Sequence, residues 1–354
     1  MLGIRSVTQA NLPPTPAATS QDAGDPFNDS DADLIIRSSD NIDFRVYRAI
    51  LFKASPTLRA IITGNASLAS SERETRDNLQ LVRINESRST LTLLFGIIYP
   101  GDSPDFENIT LGQSVTLLCA LDRYINISSI PRTIDSIMDN VIKKKPHLAF
   151  SLARRFSLAE ETAEKAAIET LRFSPLTPIQ RIQDEHLSEY MTSGLFDDLA
   201  CYHRQAVRAT STVIRSFLPE STTLRSVYFP FARTGNAPSA DIRQWHERCY
   251  SCSLCFKCHC PRQDMIGQPQ GPHQQVFNIP QYVIDYLTQC GAALNDKPHW
   301  DTMLADNRLL AAPLRTADDC KGCKWRARVE MPIFRKLVAD KIEMEIRETV
   351  NVPF

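Results

Sequence analysis

The chain has 354 residues, of which 43% are hydrophobic and 23% charged, with a formal net charge of −1 at neutral pH. That length predicts two or three domains of about 100–200 residues each, and the composition is ordinary for a globular protein. A charge this close to zero offers no global attraction to nucleic acid or to an anionic membrane surface. No apolar stretch approaches the roughly 20 residues that a membrane span requires.

The first segment, residues 1–26, is rich in Pro, Ala, Ser, Thr and Asp and lacks periodicity, which predicts a disordered tail. Met1 to Ser20 contains no apolar core of a secretory signal. The expected compartment is therefore reducing, cytoplasmic or nuclear. In that setting the five Asn-x-Ser/Thr triplets, beginning at Asn28, Asn65, Asn85, Asn108 and Asn126, are chance matches. The ten cysteines are likewise not a disulfide framework by default.

From Asp33 the pattern becomes informative. Leu34-Ile35-Ile36 and Ile42-Asp43-Phe44-Arg45-Val46 are short apolar runs separated by Ser38-Ser39-Asp40-Asn41, a hairpin signal. The following residues change to helical spacing, with Ala49-Ile50, Lys53-Ala54 and Leu58. Gly64 to Asn78 reads as an exposed loop, and Leu79 to Ile84 alternates as a third strand. Leu91, Leu94, Phe95 and Ile98 then form a helical stripe closed by Pro100-Gly101. Further helices are predicted over the stripe from Leu111 to Ile125 and over Ile130 to Ile142, where Pro131 is tolerated in the first turn.

The strand, turn, strand, helix order resembles the opening of a BTB/POZ domain, carried by Asp33, Phe44, Arg48, Leu51, Ser55 and Pro56. Tyr47 stands where many members carry His. A helix ending in an apolar-Tyr-Pro segment, here Ile98-Tyr99-Pro100, also occurs in that family. The resemblance implies a BTB/POZ domain over residues 27–142 and a role in protein–protein interaction. It implies homo- or heterodimers through a first-helix surface that would involve Ile50, Lys53 and Leu58. Family members serve as ubiquitin-ligase adaptors or as transcriptional regulators, and the sequence does not choose between them.

Residues 143–222 read as a helical extension. Ser157 with Glu160 forms a capping-box pattern before an Ala-rich helix, Pro175 and Pro178 stop that helix, and Leu199, Tyr202, Ala206 and Val213 mark another. A helical extension with a Tyr-His-Arg segment, matched by Tyr202-His203-Arg204, resembles the region after the BTB domain in many fungal members. The stretches from Ser226 to Asp241 and from Pro261 to Pro280 read as irregular. Gln281 to Leu294 is predicted helical, and Met331 to Val350 closes the chain as an amphipathic helix with Phe334, Leu337, Val338, Ile342 and Ile346 on one face. The fold class expected is α+β: a BTB/POZ-like sheet-and-helix domain, a mainly helical region, and a Cys-rich module over residues 223–330 before the helix at 331–354.

His246, Cys249, Cys252, Cys255, Cys258 and Cys260 lie within fifteen residues, and Cys320-Lys321-Gly322-Cys323 comes sixty residues later. A Cys-x-x-Cys turn lets two thiolates converge on a tetrahedral ion, with Gly322 permitting the tight turn. Cys249, Cys252, Cys320 and Cys323 are the first-choice ligands of a structural zinc ion, with Cys255, Cys258, Cys260 and His246 as substitutes. Packed thiols and redox disulfides are the competing readings of the same cluster. Trp245, Trp300 and Trp325 are expected to pack around it.

No catalytic signature accompanies these cysteines. His246-Glu247 is followed by Arg248-Cys249, so His-Glu-x-x-His is absent, as are the deaminase, phosphate-loop, dinucleotide and nucleophile-elbow patterns. Cys119 and Cys201 fall on helical stripes and read as core residues. The basic runs Lys143-Lys144-Lys145 and Arg154-Arg155 read as solvated helix ends. The expectation is a non-enzymatic interaction protein that pairs with another BTB chain and recruits an unidentified protein partner, with no membrane contact. The alternative is a transcriptional regulator that contacts nucleic acid through the Cys-rich region. Arg243, Arg248, Lys257 and Arg262 are offset there by Asp241, Glu247 and Asp264, which argues against a phosphate site.

Overall fold

A computed structural model describes residues 20–66, 74–101, 104–218, 226–228, 276–278, 281–319 and 321–353. The chain divides into two compact units, Met1–Asn140 and Val141–Phe354. The fold is mixed α and β, mostly helical, with one five-stranded sheet.

The first unit carries that sheet. Its strands are β1 (Gln21–Asp22), β2 (Leu34–Arg37), β3 (Ile42–Val46), β4 (Thr75–Arg76) and β5 (Leu79–Arg83), in the order β1-β3-β2-β5-β4. β2 and β3 form the antiparallel hairpin predicted, with Leu34 opposite Val46 and Ile36 opposite Phe44. β5 runs parallel to β2, with Leu34 opposite Gln80 and Ile36 opposite Val82. β2 is therefore flanked on both edges, and Leu34, Ile35 and Ile36 are all fully buried, as a central strand covered on both faces requires.

Local turn chemistry sets the register. Asn41 adopts φ 60° at the end of the β2–β3 turn, while Ser38 Oγ accepts from the Ile42 N–H at 2.9 Å. Asp77 and Asn78 both have positive φ, 55° and 63°, and make the two-residue turn between β4 and β5. β4 lies within the stretch predicted as a loop. Gln21 and Asp22 pair in parallel with Ile42 and Asp43, so the expected tail ends inside the sheet.

Helices α1 (Arg48–Ala54), α2 (Pro56–Ala66), α3 (Arg88–Ile98), α4 (Leu111–Tyr124) and α5 (Pro131–Lys144) complete this part of the chain, and the division between the units falls within α5. Ser87 caps α3, and Thr110 with Gln113 forms a complete capping box on α4. An aromatic cluster fills the core: the Phe27, Phe44 and Phe95 rings lie 5.6–5.7 Å apart, and Tyr99 sits 5.5 Å from Phe27.

The second unit contains α6 (Pro146–Arg155), α7 (Glu160–Thr170), α8 (Pro178–Gln183), α9 (Glu185–Tyr190), α10 (Ser193–Ser216), α11 (Gln281–Asp296), α12 (Asp301–Ala305), α13 (Arg308–Asp318) and α14 (Lys321–Thr349). α6 packs against α7 and α9, α10 packs against α11 and α14, and α11 also packs against α13. Tyr202, Tyr286 and Phe334 are deeply buried, and Phe334 contacts Tyr286 and Phe217 edge-on at 6.4 and 5.9 Å.

Three local expectations change here. Ser157 does not cap α7, whose N-cap is Ala159. It closes α6 instead: Ser157 has φ 50°, its N–H donates to the Arg154 carbonyl, and the Leu158 N–H reaches back to Ala153 at 2.9 Å. That pattern is a Schellman termination with serine in the left-handed position. Gly322 is not a tight turn, because α14 begins at Lys321 and runs through Gly322 and Pro332. Ser226–Tyr228 (β6) and Val276–Asn278 (β7), predicted irregular, form an antiparallel ladder with Tyr228 opposite Val276.

Candidate functional site

The residues that carry the opening motif of the first unit perform defined structural jobs. Asp33 Oδ1 accepts the Arg48 N–H at 2.7 Å, so a residue just before β2 anchors the start of α1. The Arg48 guanidinium reaches Gln80 Oε1 on β5 at 2.9 Å. Ser55 Oγ accepts the Leu58 N–H at 2.9 Å and donates to the Tyr124 carbonyl. Ser55-Pro56 thus reads as an N-cap followed by a proline at the first helical position. Phe44 and Leu51 are fully buried.

Around this frame the surface predicted for self-association is only partly available. Lys53 is exposed and Ile50 is half-buried, but Leu58 is completely buried. Leu58 therefore belongs to the core and not to the surface, because the Ser55 cap turns α2 so that Leu58 and Ile62 face inward together. The exposed face of α1 and α2 presents Ala49, Lys53, Arg59 and Ile61, with the Arg59 guanidinium 5.7 Å from the Phe52 ring centre.

Among the described residues the same unit fully buries one carboxylate. Asp43 is fully buried on β3, its Oδ1 accepting Arg37 Nε at 2.5 Å and its Oδ2 accepting Arg37 Nη2 at 2.7 Å. Arg76 from β4 also donates to Oδ2 and pairs with Asp22 at 3.0 Å. Burial alone pushes the Asp43 carboxyl up, but the hydrogen bonds and charges of Arg37 and Arg76 outweigh it and hold it below the usual value. Four strands are tied by this one carboxylate and its arginines.

The metal-site residues divide differently. His246, Cys249, Cys252, Cys255, Cys258, Cys260 and Cys320 lie outside the described residues, as does Trp245. Cys323 is buried, on the first turn of α14. Among the described residues no three His, Cys, Asp or Glu side chains gather closely enough to hold a metal ion. The β6–β7 ladder places Tyr228 and Val276 side by side, so the chain leaves for and returns from residues 229–275 at one place. Trp325 is 70% exposed, and Trp300 stacks on His299 with ring centres 3.9 Å apart. The cysteine cluster around which they were expected to pack lies outside the described residues. Cys201 is exposed on α10, correcting its reading as a core residue, and Cys119 is half-buried.

No protein-family model matches the chain, and no curated protein and no solved structure matches it.

In the second unit the sequence marks His203 only through the Tyr202-His203-Arg204 resemblance and does not mark His147 or His299. His147 on α6 and His203 on α10 line one small, partly open pocket with Thr170, Phe196, Leu199 and Ala200. Its free volume is about 20 Å³, room for one water. Burial holds the His147 imidazole down at about 4, reinforced by His203 and Lys145. His203 is lowered by burial as well, although the carbonyls of Asp296 and Phe173 favour its charged form. Its Nε2 lies 3.2 Å from the Asp296 carbonyl oxygen, so that nitrogen carries the proton. His299 is fully buried between α11 and α12. The spacing of three histidines carries no periodic signal, so only the packing reveals that they lie inside. No helix among the described residues is long and apolar enough to cross a membrane.

Proposed function

We propose that this chain is a non-enzymatic protein-interaction module whose first unit acts as a BTB/POZ-like domain that pairs with another such chain and recruits a protein partner. The observation that supports this most directly is the hairpin-to-helix frame. The motif residues Asp33, Arg48, Ser55 and Pro56 all serve to join β2, β3 and the first two helices. The third strand and the helix ending at Tyr99-Pro100 come in the same order as in the family resemblance. The pairing surface centres on the exposed side of α1, with Lys53 and the half-buried Ile50. Such a pairing unit would serve a ubiquitin-ligase adaptor or a transcriptional regulator, in the cytoplasm or nucleus.

A structural zinc ion belongs to the same proposal, held by Cys249, Cys252, Cys320 and Cys323. Support comes from the two Cys-x-x-Cys pairs of the sequence, and from Cys323 lying buried on the first turn of α14. With four thiolates the ion has no open position for water, so it would tie segments together and perform no chemistry.

Light scattering coupled to size exclusion tests the pairing. At tens of micromolar, the range in which a weak homodimer forms, the chain should elute at twice its 39.9 kDa mass. A mass of one chain at that concentration, unchanged by Lys53→Glu, would remove the homodimer.

A further inference from the structure

The buried imidazole of His299 is wired in a way that makes its protonation structurally disruptive. Its Nδ1 accepts the backbone N–H of Asp301 at 3.1 Å, at the first residue of α12. The neutral ring must then carry its proton on Nε2, and that atom is buried with no hydrogen-bond partner. A second proton can enter only at Nδ1. It would turn the acceptor into a donor pointing at another donor, so the bond that starts α12 would break.

The surroundings oppose the added charge. Arg172, at the end of α7, and Arg347, on α14, both face the ring, and Arg347 also covers Trp300 at 5.5 Å. Among the described residues Asp301 is the carboxylate facing it, and Arg172 already engages Asp301 at 2.5 Å. Arg172 is shared with Glu169, and Arg347 with Glu343 and Glu164. Lys297 lies exposed on the same loop.

The same corner holds α10 and the residues just after α7 to the end of α11 and the start of α12. Arg172 pairs with Asp301, Ser174 Oγ donates to Asp296 Oδ2 at 2.7 Å, and His203 donates to the Asp296 carbonyl. Across the cavity His203 faces His147, which also feels Lys145; Lys145 is paired with Asp184. Protonating both histidines would place like charges across this small space.

We propose that this corner is an acid-sensitive catch: protonation of His299, seconded by His147 and His203, breaks the start of α12 and releases the end of α7 and the residues after it from the end of α11. The device stands apart from the pairing function of the first unit. Burial and the neighbouring guanidiniums hold His299 at about 4, against an ordinary 6.5. The opened form, with its rings in water, takes up protons below about 6.5 while the closed form does not. Opening therefore gains about tenfold per pH unit for each proton taken up, between roughly pH 6.5 and 4.

Hydrogen exchange on the full chain from pH 7.5 to 4.5, corrected for the intrinsic rate, reads this directly. Amides at the end of α7 and of the residues from Asp296 to Ala305 should open at least about tenfold more between pH 6 and 5, while Leu34–Val46 stays protected. His299→Asn keeps an oxygen acceptor two residues before Asp301, as in an Asx turn, but cannot be protonated. That variant should lose most of the acid response at α12. If it does not fold at neutral pH, the wild-type His299 ring resonance decides, with titration below pH 5 expected. Three results overturn the proposal: exchange that rises equally in both units, an unchanged acid response in the folded variant, or a His299 titration near 6.5.

Discussion

The side chain of Arg335 caps the end of a helix to which it does not belong. From α14, its Nε and Nη2 both donate to the Met303 carbonyl, at 3.0 and 2.5 Å. Nη2 also reaches the Leu304 carbonyl at 2.8 Å, and Nη1 reaches Asn307 Oδ1 at 3.2 Å. A helix as short as α12 leaves every late carbonyl without an internal partner. One buried guanidinium supplies several of the missing donors.

Arg335→Leu should therefore destabilise the second unit by about 2–4 kcal/mol, since it strands buried carbonyls as well as losing charged hydrogen bonds. Arg335→Lys should recover only part of the loss, because an ammonium cannot span the same fork. Urea denaturation of the two variants checks both the loss and the partial recovery.

In the first unit, Asp43→Asn leaves the Arg37 and Arg76 guanidiniums without their shared acceptor charge. Breaking a buried pair costs about 3–5 kcal/mol; here about 2–4 kcal/mol is expected, because both arginines reach solvent. The folded carboxyl lies below 3.8, so its contribution is fully present above the unfolded pKa and is lost as pH falls through the lower folded value. The stability gap between wild type and variant should stay constant from pH 7 to 5 and narrow only below about pH 4. Denaturation midpoints at stepped pH measure it.

Leu58 and Lys53 should separate core from surface. Leu58→Ala removes a fully buried side chain and should cost about 2–5 kcal/mol. Lys53→Glu should change stability by less than about 0.5 kcal/mol yet weaken self-association. Thermal melts beside light scattering distinguish the two. A Lys53 variant as unstable as the Leu58 variant would refute the assignment of faces.

Ser157→Gly should stabilise the chain. A non-glycine residue at φ 50° carries a steric cost of roughly 1 kcal/mol that glycine avoids, and the added freedom of the unfolded chain returns part of it. A net gain of a few tenths to about 1 kcal/mol is expected, visible as a higher melting temperature. Ser157→Val should move it the other way.

If the proposed zinc staple exists, the purified chain carries about one zinc ion. Chelation should then raise hydrogen exchange in the first turns of α14 and leave the β2–β3 hairpin protected. Metal-free protein with an unchanged melting profile would show that the cysteines play a different part.

Periodicity and turn chemistry, both local, determined the elements of this protein. The runs at Leu34, Ile42 and Leu79 became strands at those places, and the apolar stripes from Leu91, Leu111 and Leu199 became helices, because spacing along the chain dictates which side chains share a face. Serine at 157 misled, since its capping chemistry suits a helix start while its neighbours needed a helix end. What tertiary structure decided depends on residues far apart in sequence. Arg76 joins Asp43 from 33 residues away, Arg335 joins Met303 from 32, and His203 joins Asp296 from 93. Polar side chains carry no periodic mark of burial. Whether Leu58 faces inward or His299 loses its water is fixed only when separate elements pack and the dielectric around each group is set.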